Sequence, residues 1–352
     1  MVRFVSVNDM ARWVAHRGVE AIIAGLVAAL EDDFRRWDDF DKRPRFGAQS
    51  DDGVIELMPT SDGATFGFKY VSGHPINAHR SLQTVTAFGA LSDATTGYPI
   101  LVAEMTVLTA LRTAAVSTMF ARALAPPHAT TMAMIGAGAQ AEFQALAFRS
   151  MLGIETVRVF DVDDAAMAKL EANAPDLGGD VVRCRDALDA ITGAEIITTC
   201  TADQRNATVI TDEMFEQARR AGGVTGVHIN AIGGDCPGKT ELDDALVRRC
   251  SIFVEYAEQT FLEGEIQALP REWPVTEFSN VLTGDAVGRR SPDELTLFDS
   301  VGFAVEDMCA LRFLDESVRR TGHFAEIDLV AEPDDPKNLF SLIGAHRRAG
   351  VR

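Results

Sequence analysis

TTMAMIGAGAQAEFQ, Thr130 to Gln144, is the stretch whose reading decides the fold. Met132–Ile135 is a short apolar run with a β-branched end, the pattern of a buried parallel strand. It passes directly into Gly136-Ala137-Gly138-Ala139-Gln140-Ala141, and Glu142 to Met151 then reads as a helix. Strand, tight glycine turn and helix N-terminus together make an anion site, because free N–H groups and the helix dipole face outward. Gly136 permits the turn, Gly138 lets a pyrophosphate approach the backbone, and Ala141 stands where the dinucleotide fingerprint takes Gly or Ala. Glu155 to Asp161, ETVRVFD, reads as a second strand ending in an acid, about 20 residues past the turn, where a ribose-binding carboxylate belongs. An acid there can also be a helix cap, but the two features in register point to a dinucleotide cofactor. Asp161 favours NAD over NADP, since its carboxylate would repel a 2′-phosphate.

The wider composition agrees with a globular, soluble protein. A chain of 352 residues is long for one core and suits two domains. Hydrophobic content is 47% and charged content 24%, and a net charge of −19 argues against a nucleic-acid partner. The five cysteines, Cys184, Cys200, Cys236, Cys250 and Cys309, are odd in number and lack CxxC spacing, so reduced thiols are expected, with no metal site. MVRFVSVNDMARWV has no signal-like apolar core and no stretch reads as a membrane span. A soluble, cytoplasmic protein is expected.

Working outward towards the N-terminus, Asn8-Asp9 reads as a helix cap and Val19 to Phe34 as an amphipathic helix. Gly53 to Pro59, Thr65 to Val71 and Gln83 to Phe88 read as strands of an antiparallel sheet, and Ile100 to Met105 as another strand. Arg45 lies beside a proline. Lys69 sits inside an apolar strand, where a lysine is either a solvated edge residue or part of a site. The helix from Leu108 contains Arg112 as its only charge before Arg122. A buried arginine needs an anionic partner, and a ligand is the favoured one.

Pro126-Pro127 marks a boundary, after which strands and helices alternate past Asp161. Thr198, Thr199 and Thr201 end a strand that either lines the cofactor crevice or is simply threonine-rich. Gly226 to Leu242, GVHINAIGGDCPGKTEL, reads as a strand running into a flexible glycine pair, Gly233-Gly234, with Asp235 exposed beyond it. Asp235 is either a turn residue capping a helix near Glu241 or a group for proton transfer and amine binding. Thr296 to Arg312 reads as one helix with Asp299 or Ser300 near its N-cap, and Phe324 to Val330 as a final strand.

The Leu111-Arg112-Thr113 helix, GAGAQAEFQ, HINAIGGDCPGKTEL and FDSVGFAVED together resemble the ornithine cyclodeaminase/μ-crystallin family across nearly the whole chain. The resemblance implies an α/β fold: a Rossmann-like, doubly wound NAD-binding domain, residues 126–319, inserted into an α+β domain. That second domain, residues 1–125 plus 320–352, would bind substrate and form a homodimer through its antiparallel sheet. By the same resemblance Arg45, Lys69 and Arg112 surround a substrate carboxylate, Asp235 meets a distal amine and Val301 lies beside the substrate. NAD contacts are implied for Thr84, Arg112, Thr113, Gly136, Gly138, Ala139, Gln140, Asp161, Thr201, Ile232, Gly233, Gly234, Lys239 and Ser300.

The implied activity is that of a lyase: conversion of L-ornithine to L-proline and ammonia through internal hydride transfer, cyclisation and hydride return. Asp235 and Lys69 are the implied catalytic groups. Three alternatives remain open: a lysine cyclodeaminase, an NAD(P)-dependent amino-acid dehydrogenase or ketimine reductase, and a non-enzymatic binding protein. A longer segment, Glu216 to Val224, departs from the family pattern and puts only local loop shape in question.

Overall fold

The structure is a computed structural model and describes residues 1–50, 52–202 and 208–343; the end of the C-terminal segment, 344–352, lies outside the described residues. Strand β1 (Val2–Val5) leads into α1 (Val7–Arg17) and α2 (Val19–Arg35). The cap of α1 is Ser6, two residues earlier than Asn8: Ser6 Oγ accepts from the Asp9 N–H at 3.2 Å and the Asp9 carboxylate accepts from the Ser6 N–H at 3.1 Å. Then follow β2 (Phe46–Ser50), β3 (Gly53–Ser61), β4 (Thr65–Gly73), β5 (Val85–Asp93), β6 (Pro99–Glu104) and α3 (Thr106–Leu124). Helix α3 is long and apolar enough to cross a membrane, but most of it is buried against α2 and α4 (Ala141–Leu152), as a core helix would be.

The second unit runs through β7 (Thr131–Ile135), α4, β8 (Thr156–Phe160), α5 (Asp164–Leu177), β9 (Asp180–Arg183), α6 (Ala187–Ile191) and β10 (Ile196–Thr199). It continues with α7 (Asp212–Gly222), β11 (Val227–Ala231), α8 (Asp244–Val247), β12 (Ser251–Val254) and α9 (Ala257–Glu263). Its last elements are β13 (Thr276–Glu277), α10 (Phe278–Thr283) and β14 (Leu295–Asp299). Helix α11 (Ala304–Thr321) and β15 (Ala325–Ile327) then return to the first unit.

Two sheets result. The first has the order β15-β1-β6-β5-β4-β3-β2, with only β1 and β6 parallel. Its strands alternate as the pleat requires. Glu56, Met58, Lys69 and Ala87 point inward, towards α3 and α11, while Ile55, Leu57, Phe66 and Phe88 are exposed on the other side. Tyr70 stacks on Phe88 at 5.0 Å, and Phe68 meets Phe88 edge-on, so the outer face carries an aromatic ladder. Lys69 is not on an edge: β4 lies between β3 and β5, and the side chain is buried.

The second sheet is parallel throughout, in the order β13-β12-β14-β11-β10-β7-β8-β9. Met132 and Met134 pack into the core on one face and Ala133 and Ile135 into the core on the other, which is why the strand reads as continuously apolar. The chain reverses direction across the sheet between β7 and β10, and a doubly wound sheet opens its crevice at the carboxyl ends of such a pair. Gly136 lies at that point with φ +104°, and a Cβ there would stand 2.8 Å from the Cys200 carbonyl oxygen.

The reading of Thr296 to Arg312 as a single helix is corrected. Leu295–Asp299 is a strand held between β11 and β12, and the helix begins only at Ala304 after Gly302 turns the chain at φ +72°. A short apolar run fits both periodicities, and here the two flanking strands decide. Asp299 and Ser300 therefore end a strand rather than cap a helix. Helix α11 packs on α2, β3, β4 and β5, so residues 304–321 join the first unit's core, earlier in the chain than residue 320. The segment Glu216 to Val224 is no altered loop: through Gly222 it continues α7. Gly136→Ala should strain the turn by about 1–2 kcal/mol before the clash is counted, and weaken NAD binding at least about tenfold by titration calorimetry. Unchanged affinity would mean that the turn is not a cofactor site.

Candidate active site

The crossover Ser300-Val301-Gly302, leaving the carboxyl end of β14, is gripped from both units. The Ser300 hydroxyl donates to Glu255 at 2.8 Å, the Gly302 N–H donates to the same carboxylate at 3.2 Å, and Gln259 Nε2 donates to the Gly302 carbonyl at 2.8 Å. From the first unit, Arg45 donates to the carbonyls of Val301 and Gly302, at 2.8 Å for the latter. Val301 and Ser300 are buried.

Arg45, Lys69 and Arg112 gather against this crossover. Arg45 pairs with Glu56 on β3 at 2.9 Å and with Glu263 at the end of α9 at 3.0 Å. Lys69 Nζ lies 2.9 Å from the Asp307 carboxylate. Arg112 places Nη1 2.8 Å from Glu306 and Nε 3.0 Å from Asp307. The expectation that a ligand is Arg112's anionic partner is corrected in part, because Glu306 and Asp307 of α11 already accept hydrogen bonds from it. Nη2 has no hydrogen-bond acceptor among the described residues, and one edge of the guanidinium remains for a ligand.

Burial drives the electrostatics. It lowers the Lys69 pKa to about 8, helped by Arg112 and Arg45 and opposed by Asp307. Burial likewise pushes Glu263 up to about 7, against the pull of Arg45, and Glu306 up to about 8, with Glu255 adding to the rise. Removing one partner of such a buried pair costs roughly 3–5 kcal/mol. Glu56, Glu255, Glu263, Glu306 and Asp307 were absent from the sequence reading. Glu56 left one signal, an acid at an inward position of an alternating strand; the others gain meaning only from their partners.

The Asp235 loop is built differently from its sequence reading. Gly233 and Gly234 do not take left-handed φ, so the pair is not there for flexibility. A side chain at Gly233 would collide with the Glu241 carboxylate, and one at Gly234 with Glu265. Both acids are buried and pin the loop. Glu241 accepts from the Thr201 N–H at 2.7 Å and its hydroxyl at 2.6 Å, while Glu265 accepts from the N–H groups of Glu241 and Leu242 at 2.8 and 2.9 Å. The next helix starts at Asp244, capped by Asp243, so Asp235 caps nothing. Asp235 stays exposed, with Lys239 Nζ 3.3 Å away; Lys239 is buried and also donates to the Thr201 carbonyl at 2.8 Å. Cys236 is pushed up to about 11 by burial and by Asp235, so it carries no thiolate at neutral pH.

The glycine turn fits a dinucleotide. Gly138 and Ala139 are exposed at the N-terminus of α4, and a Cβ on Gly138 would meet nothing within 4 Å, so the approach is open. Asp161, at the end of β8, accepts from the Ala137 N–H at 2.6 Å and so stands directly beside the turn. Gln140 Oε1 is buried without a hydrogen-bond partner among the described residues, an atom for a ligand to satisfy. Ile232 donates to the Thr199 carbonyl at 3.0 Å, which sets the Asp235 loop beside the crevice. Thr113 is half-buried next to Arg112 on α3. Thr84 precedes β5, where its carbonyl accepts from the His74 N–H at 2.7 Å; among the described residues no hydrogen bond joins it to the turn.

Known proteins share this architecture. An ornithine cyclodeaminase of Brucella suis biovar 1 is 52% identical over 348 residues, which are 99% of this chain and 95% of that protein. Among solved structures, a lysine cyclodeaminase described as recognising L-lysine, L-ornithine and L-2,4-diaminobutyric acid aligns with TM-score 0.87 at 29% identity, covering 96% of this chain and 98% of its own. An archaeal alanine dehydrogenase dimer with bound NAD aligns with TM-score 0.81 at 28% identity, covering 94% and 99%. The model of the ornithine cyclodeaminase/mu-crystallin family matches residues 7–322, and the chain belongs to that family.

Proposed function

We propose that this chain is an NAD-dependent ornithine cyclodeaminase that converts L-ornithine to L-proline and ammonia. The observation that carries the reading is a buried group of cations, with the Arg112 Nη2 edge free, whose member Arg45 also feels the charge of the exposed Asp235. A diamino acid presents the complementary charges, and clamping both ends fixes its Cα–H. NAD, held at the glycine turn beside Asp161, would supply a hydride acceptor for Cα and a hydride donor for the cyclic imine. Arg45, Lys69 and Arg112 hold the substrate carboxylate. Asp235 takes a proton from the distal ammonium, and the freed amine attacks C2 and displaces ammonia. Lys69 handles protons at the α-nitrogen. Val301 lies against the substrate, and Thr84, Thr113, Lys239 and Ser300 join the glycine turn around the cofactor.

The assembly we propose is a homodimer. The outer face of the first sheet leaves Ile55, Leu57, Phe66 and Phe88 exposed, an apolar face that a second copy would cover. All five cysteines are free, which suits the reducing cytoplasm, where the enzyme would feed ornithine and arginine breakdown into proline.

Anaerobic incubation with L-ornithine and catalytic NAD should give equal ammonia and proline with no accumulating NADH. NADH rising with ammonia would instead identify a dehydrogenase, and turnover of L-lysine alone would move the assignment one methylene up. Asp235→Asn should keep NAD binding and lose most turnover, and near-normal turnover would remove Asp235 from the chemistry. Leu57→Asp with Phe88→Asp should halve the mass seen by light scattering. An unchanged mass would place the interface elsewhere.

A further inference from the structure

Lys69 and Arg112 come from different elements, β4 and α3, yet both reach one carboxylate. Asp307 on α11 is wholly buried and accepts from Lys69 Nζ at 2.9 Å and from Arg112 Nε at 3.0 Å. Two like charges brought this close would repel in a buried site; Asp307 is the group that lets them share it. Arg112 also has Glu306, whereas Lys69 has no other hydrogen-bond acceptor among the described residues.

We propose that Asp307 is a positioning residue that holds Lys69 as an ammonium and seats it beside Arg112, ready for a substrate carboxylate. The inference rests on the activity proposed above and assigns a role to a residue outside the substrate-facing set. The charged groups around Lys69 come from every neighbouring element. Asp307 from α11, Arg112 from α3 and Arg45 from the segment before β2 act on it directly; Glu306 and Glu255 act on Arg112, and Glu56, Glu263 and Asp235 on Arg45. Burial, Arg112 and Arg45 all work against the Lys69 proton, and Asp307 supplies the opposing pull. Burial also raises Glu263 to about 7 and Glu306 to about 8, which weakens their pull on Arg45 and Arg112 at neutral pH. With the ammonium titrating at about 8, binding of a carboxylate should fail as pH rises through that value. Without Asp307 the failure should come at lower pH.

The test is calorimetric binding of L-proline, as a carboxylate probe, to the NAD-loaded protein between pH 6 and 9, alongside kcat/KM for L-ornithine. Asp307→Asn should bind NAD normally and move the alkaline loss of proline binding acidward by at least about one pH unit, with KM rising more than kcat falls. Asp307→Glu, which restores the charge, should return the profile towards wild type. Lys69→Arg leaves Asp307 paired and carries a charge that does not titrate, so the alkaline loss should shrink to the part that Glu263 and Glu306 contribute. A wild-type profile in Asp307→Asn, or a wild-type profile in Lys69→Arg, overturns the proposal, and the latter holds even where Asp307→Asn fails to fold. Proline binding needs no turnover. If ornithine is not consumed while these shifts occur, the proposed function falls and the role of Asp307 stands.

Discussion

The guanidinium of Arg45 joins the two halves of this molecule. It pairs with Glu56 in the first sheet and Glu263 in the second unit, and donates to the carbonyls of Val301 and Gly302 between them. A planar fork with five donors can make such a set, and a lysine could not. The site forms around this joint because the crossover it holds is also the one that Glu255 and Gln259 hold from the other side. Arg45 from one unit is thereby placed against the crossover at the carboxyl end of the other's sheet.

Burial gives the site its chemical character. The same inward face that packs Met58 and Ala87 carries Glu56 and Lys69, so the charges share the low-dielectric space of the core. There the charged forms are disfavoured unless paired, and the carboxylates of α11 and α9 are set opposite the cations. The outward face of the same strands is aromatic and, among the described residues, left exposed. One pleated sheet thus serves a polar site on one side and offers an apolar surface on the other.

Parts of this were legible from residue spacing. The turn at Gly136 and the acid at Asp161 identify the cofactor crevice because backbone sterics and a strand-to-helix rise are local properties. The alternation in β3, β4 and β5 likewise marks the sheet. Lys69 could not be resolved locally, since an edge lysine and a buried one look alike until the flanking strands are placed. Leu295–Asp299 failed for a related reason: a short apolar run satisfies both periodicities. The Gly233-Gly234 pair read as a hinge because the two carboxylates that require the missing side chains, Glu241 and Glu265, arrive from further along the chain.

By itself, then, the sequence determined the doubly wound unit and its dinucleotide turn, because each is written in a local pattern, while Arg45, Lys69, Arg112 and Asp235 stood out as a set only through the family resemblance. Tertiary structure alone decided which acids neutralise those cations, that residues 304–321 belong with the first unit, and that Asp307 serves Lys69 and Arg112 together. The physical reason is distance along the chain. A buried charge is stable only through its partner, and here Asp307 lies 238 residues from Lys69 and 195 from Arg112, beyond the reach of any local pattern.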